Sequence, residues 1–185
     1  PRHEPADEQH IRLLAWYDRT AQAVRSVDPD HILFVEGNTY SMDFSRFEAI
    51  IPNAVYACHD YFKMEFPIAG QTPYSGSREQ KAKLRSQFER TVSLMRERKV
   101  PIWNGDFGPV YANPLEDANA DTTNMARYRL LQEQLKIYAE TKAHWTIRLY
   151  KDIGYQGTVF VDPATPYMQL VDSFVKKKQK LALDF

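Results

Sequence analysis

The chain has 185 residues, 43% of them hydrophobic and 26% charged, the composition of an ordinary folded domain and not of a disordered tail. Its 24 basic and 24 acidic residues cancel, which leaves no electrostatic footprint for nucleic acid. No apolar run reaches the roughly 18 residues of a membrane-spanning helix, and the single cysteine, Cys58, excludes an internal disulfide framework and a multi-cysteine zinc site.

The chain opens on Pro1 with nothing like a signal segment before its first helix, as expected of a fragment or of a chain cut from a longer one. After Pro5 a helical pattern begins, with Leu13, Leu14, Tyr17, Ala21 and Val24 on one face. Asp28-Pro29-Asp30 stops it. His31–Glu36, an apolar, branched run closed by Gly37-Asn38, predicts a strand buried on both faces. A short helix is expected around Phe44 to Ile50, ending at Pro52, and Ala54–His59 reads as a second buried strand. Residues 60–76, rich in Gly, Pro and Ser, form a long loop, and such loops often carry function. Ser77 with Gln80 has the form of a capping box, opening a helix with Leu84, Phe88, Val92 and Met95 inward. Val100–Gly105 is the third strand, and a second long loop runs to about Asp121. Tyr128, Leu131, Leu135 and Tyr138 mark the next helical face, and His144–Tyr150 the fourth strand. Thr165-Pro166 makes an N-cap and first-turn pair for the last helix, whose Lys176-Lys177-Lys178 run is its solvated end.

A helix followed by four strand–helix units with apolar strands predicts an α/β protein with a parallel sheet and outer helices. Four strands cannot close a barrel and would leave two raw edges and an open apolar face. Eight would close. The expectation is therefore the C-terminal half of a (β/α)8 TIM barrel, with residues 1–185 forming one partial domain. Its partner would be a missing N-terminal half-barrel, or a second copy paired through the open edges. An open doubly wound sheet is the alternative, but no glycine-rich phosphate loop follows any strand.

In a parallel barrel the active site lies at the C-terminal ends of the strands. Polar residues stand at those ends: Glu36-Gly37-Asn38, His59-Asp60-Tyr61, Asn104-Gly105-Asp106, then Arg148 and Lys151-Asp152. His3-Glu4-Pro5 precedes the first helix, where the end of an earlier strand would fall. Residues two apart on a strand share a face, so His59 and Tyr61 can point together into the site, whereas Cys58 and His59 face opposite ways and make no catalytic pair.

These segments resemble glycoside hydrolase family 5, the cellulase family, and its fungal members in particular. His3-Glu4-Pro5 is similar to the family's Asn-Glu-Pro motif, and Cys58-His59-Asp60-Tyr61 to its His-x-Tyr strand end. Pro101 to Gly108 (PIWNGDFG) resembles the Gly-Glu-Phe-Gly nucleophile strand, and His144 to Asp152 (HWTIRLYKD) the last strand with its aromatic sugar platform. The resemblance implies a retaining β-glycosidase acting on a polysaccharide or glycoside, without cofactor or metal, and favours an extracellular setting. Glu4 would be the acid/base and Asp106 the nucleophile, with His3, His59, Tyr61, Trp145 and Arg148 against the carbohydrate. Tyr61 would hydrogen-bond the nucleophile carboxylate.

Three positions depart from the family. Asp106 stands for Glu, about one methylene short; Arg148 stands for Trp, placing a cation beside Asp106; His3 stands for Asn. They point to weakened catalysis, and they motivate two alternatives: a carbohydrate-binding remnant without turnover, or inversion through the wider carboxyl gap that admits a water. A metal-dependent hydrolase using His59, Asp60, Asp106 and His144 is a further alternative, unsupported by any His-x-His or His-Glu-x-x-His spacing.

Overall fold

The computed structural model describes residues 6–62, 65, 73–114, 117–150, 156–159, 162 and 164–182. The first helix, α1 (Ala6–Val27), turns Ala21 inward and packs Leu14 and Tyr17 against the core, as its spacing predicts. The chain then reverses at Asp28, whose Oδ1 accepts the N–H of His31 at 3.1 Å, the turn chemistry that favours Asp at such places. Arg25 donates to the Asn53 carbonyl at 3.0 Å and ties the end of α1 to the approach of the second strand.

Among the described residues four strands form one sheet: β1 (Leu33–Glu36), β2 (Ala54–His59), β3 (Ile102–Asp106) and β4 (His144–Trp145). They lie in sequence order and every pair is parallel. Helices α3 (Arg78–Thr91) and α4 (Ser93–Arg98) connect β2 to β3, and α5 (Ala120–Thr141) connects β3 to β4; α6 (Pro166–Ala182) follows. Sequential parallel strands with helical returns are the arrangement of half a (β/α)8 barrel.

The core lies between the sheet and its helices. Val35, Tyr56, Cys58 and Ile102 meet Leu84, Phe88, Val92 and Met95 from α3 and α4, and Leu130, Ile137 and Tyr138 from α5. Each large apolar side chain so buried contributes about 1.5–3 kcal/mol. The capping box at the start of α3 is present: Ser77 Oγ accepts the Gln80 N–H at 3.2 Å while Gln80 Oε1 accepts the Ser77 N–H at 3.4 Å. Thr165 Oγ1 likewise accepts from Met168 at the start of α6.

Several expectations need correction. β1 is not buried on both faces: Phe34 is 57% exposed, its ring edge-on to Trp103 with centroids 5.9 Å apart, because helices cover one side of the sheet. The helix expected from Phe44 to Ile50 is an irregular turn anchored by buried Phe44 and Phe47, whose rings pack on Tyr56. A single turn, α2 (Asn38–Ser41), forms earlier instead, with Thr39, Tyr40 and Ser41 in left-handed backbone at φ 52°, 55° and 58°. β3 starts two residues later than expected, and β4 spans two residues where seven were expected. On α5, Tyr128 is exposed; the inward face runs through Arg127, Leu130, Gln134 and Tyr138, so two polar side chains occupy places that an apolar pattern cannot reveal.

Candidate active site

Asp106 reaches the mouth of the half-barrel through a break in the pleat. Cys58 pairs with Asn104, but the next residue of β2, His59, pairs with Asp106, so β3 spends two residues against one. By simple alternation Asp106 would share the helix side with Ile102 and Asn104, both buried. The bulge resets the alternation and sets Asp106 beside His59. There its side chain is 22% exposed.

Both carboxylate oxygens have partners. The Tyr61 hydroxyl donates to Oδ1 at 2.6 Å, and Arg148 Nη1 stands 3.5 Å from Oδ2. Burial, and then the bond to Asp106, push the Tyr61 phenol above its ordinary range and keep it a donor. Arg148 comes this close because its N–H donates to the Phe107 carbonyl at 2.8 Å. Gly108, at φ +141°, permits that approach, since a Cβ there would lie 2.4 Å from the Arg148 carbonyl oxygen.

One strand away, His59 Nε2 is 3.6 Å from Glu36 Oε1, at the end of β1. Trp145 is exposed on β4 and meets the edge of Phe107 at 5.7 Å, so one part of the ring packs and another stays open. Asp106, Tyr61, Arg148, His59 and Glu36 thus gather at the C-terminal strand ends. His3 and Glu4 lie outside the described residues, as do Lys151 and Asp152. Glu36 appeared in the sequence as a strand end without a role, and its spacing gave no sign of the contact with His59.

Behind this cluster the side chains turn to the helices. Cys58 is fully buried, and burial pushes its thiol up, away from nucleophilic use. Asp60 is 4% exposed and Glu65 0%. Burial raises the Asp60 carboxyl, and it pushes Glu65 up to about 8 despite the Phe62 N–H bond that opposes it. Asp60 therefore does not face the mouth with His59 and Asp106 as the metal-centre reading requires. Among the described residues no group of three or more His, Cys, Asp and Glu side chains is placed to hold a metal ion.

A raised carboxyl pKa has a defined sign in stability. The neutral form of Glu65 belongs to the folded state, so its contribution is complete below its unfolded value near 4.5 and is lost as pH climbs through about 8. The stability difference between the full-length protein and its Glu65→Gln variant should fall across that window by up to about 1.4 kcal/mol per pH unit. Urea midpoints of the two proteins near pH 5 and pH 8 measure it; a difference that does not vary with pH would contradict the assignment.

The described strands thus form half of a parallel α/β barrel with Asp106, Tyr61, Arg148, His59 and Glu36 at its C-terminal strand ends. The chain belongs to glycosyl hydrolase family 5: the family description "Cellulase (glycosyl hydrolase family 5)" matches residues 3–149. It is 46% identical, over its whole length, to a protein of Phanerodontia chrysosporium named beta-xylosidase, of which it spans 39%. Among solved structures, a hyperthermophilic endo-beta-1,4-glucanase with bound substrate superposes with a TM-score of 0.62 at 15% identity, over 86% of this chain and 53% of that one. The cellulose synthase subunit Z of Clostridioides difficile gives 0.61 at 18% identity, over 77% and 48%. These two likenesses concern the fold, and the chain spans about half of each structure.

Proposed function

We propose that residues 1–185 form the C-terminal part of a catalytic domain that hydrolyses β-glycosidic bonds with retention of configuration, Asp106 acting as nucleophile and Glu4 as acid/base. The observation that carries this reading is the Asp106 carboxylate at a strand end with its two oxygens unequally held. The Tyr61 bond is short and charge-assisted, the kind worth about 1.5–3 kcal/mol. The Arg148 contact is long and Arg148 is 56% exposed, so it is worth no more than about 1 kcal/mol. Oδ2 therefore exchanges Arg148 for substrate at small cost while Oδ1 stays fixed.

In the first step Oδ2 bonds to the anomeric carbon, and Glu4 gives its proton to the departing glycosidic oxygen. In the second, Glu4 takes a proton from water, whose oxygen displaces Asp106. Retention requires the two carboxyl groups about 5–5.5 Å apart. His59, His3 and Trp145 would contact sugar hydroxyls and ring faces. The relative named beta-xylosidase makes β-xylosides the first substrates to try, followed by β-glucosides and β-mannosides.

Two features favour a second reading, binding without turnover: the short Asp106 side chain and the cation at Arg148. Hydrolysis of aryl β-glycosides by the full-length protein, followed by proton NMR, separates the cases. The first-formed sugar should be the β-anomer. An α-anomer first would establish inversion, and binding without any product would favour the remnant.

A further inference from the structure

Behind Tyr61 lies a cluster of polar side chains that the proposed reaction does not consume. Two carboxyl groups buried at one strand end cost free energy unless their oxygens are matched. They are matched from two helices. From α5, the Tyr138 hydroxyl donates to Asp60 Oδ2 at 2.7 Å and the Gln134 amide to Glu65 Oε1. From α3, the Gln87 amide donates to Asp60 Oδ1 at 3.2 Å and to the Tyr61 carbonyl at 3.0 Å. Glu65 Oε2 accepts the Phe62 N–H at 2.6 Å, and the Asp60 N–H donates to the Asp106 carbonyl at 3.1 Å. Residues 60, 61 and 62 are each tied down, and Tyr61 is the one whose side chain leaves the cluster to reach Asp106.

Replacing buried hydrogen-bonded polar groups together with their partners by apolar side chains of the same shape is often neutral or stabilising. Stability alone therefore gives no reason for two buried carboxyls here, directly behind the hydroxyl that holds the nucleophile. We infer that Asp60 and Glu65, with the Gln87, Gln134 and Tyr138 side chains that bind them, are positioning residues that fix the Tyr61 hydroxyl on Asp106 Oδ1. The inference rests on Asp106 as nucleophile. The cluster touches no reacting atom; it acts through the placement of one phenol.

Tyr138→Phe is the mildest test, because it removes one hydroxyl and keeps the ring packed against Phe88 and Phe107 at 4.7 and 4.9 Å. In the full-length protein it should lower kcat about tenfold with KM little changed, part of the roughly hundredfold that a 1 Å misplacement costs. In a Tyr61→Phe background it should cost nothing more, since the hydroxyl it positions is gone. An equal loss in both backgrounds, or no loss in either, overturns the inference. Should Tyr138→Phe fail to fold, Gln87→Met carries the same cycle. If the parent protein hydrolyses no glycoside, the nucleophile reading fails by itself, and a crystal structure of Tyr138→Phe decides the placement. Tyr61 moved out of hydrogen-bond reach of Asp106, beyond about 3.2 Å, supports the inference; Tyr61 unmoved overturns it.

Discussion

Asp106→Ala in the full-length protein is expected to lower kcat about 10⁴-fold or more, with the fold retained. Removing a nucleophile that forms the covalent intermediate is among the largest single losses an enzyme shows. The side chain is partly exposed at the end of β3, with Tyr61 only part-buried and Arg148 exposed beside it, so water can enter the space it leaves. Added azide provides the control. It fits the space the carboxylate vacates, attacks the anomeric carbon from that face, and should restore cleavage of activated substrates as a glycosyl azide of inverted configuration. A variant within about tenfold of the parent would remove Asp106 from the nucleophile position.

Glu4→Ala should cost about 10²–10⁴-fold, and the cost should depend on the leaving group. A poor leaving group needs its oxygen protonated as the bond breaks, so xylosides of simple alcohols should lose most. A nitrophenolate departs without that proton, so nitrophenyl glycosides should lose least in the first step and show the deficit in the second, where Glu4 activates water. Equal losses in kcat/KM across leaving groups would remove Glu4 from proton transfer to the leaving group.

How far the fold could be read from the sequence varies with position, for physical reasons. β2 is readable to the residue, Ala54–His59, because it lies between two strands and its buried apolar run ends at the polar pair His59-Asp60. The α3 start was readable because Ser77 and Gln80 satisfy each other locally. β1 looked equally apolar, yet Phe34 stays open, since burial there depends on what lies across the barrel and not on the residue. Phe44 and Phe47 suggested a helical repeat but serve as two anchors for a turn over Tyr56. At the site, Tyr61 and Asp106 could be named from their strand ends, whereas Glu65, Gln87 and Gln134 could not. Apart from the Phe62 N–H three residues from Glu65, their partners are 26 to 74 residues away, and buried polar groups leave no trace in a hydrophobic period.

The doubled step in β3 sets what kind of genetic change this site tolerates. Which side of the sheet Asp106 occupies depends on counting residues from Ile102, with the pair at 105 and 106 matched to one residue of β2. Substitutions nearby alter size or charge and leave that count intact. Loss of a single codon between 103 and 105 would shift the count by one, turning a carboxylate from the mouth toward the helices or requiring the strand to slip in compensation. Lineages carrying this arrangement should accept replacements in β3 at positions other than Asp106 more often than any change in its length.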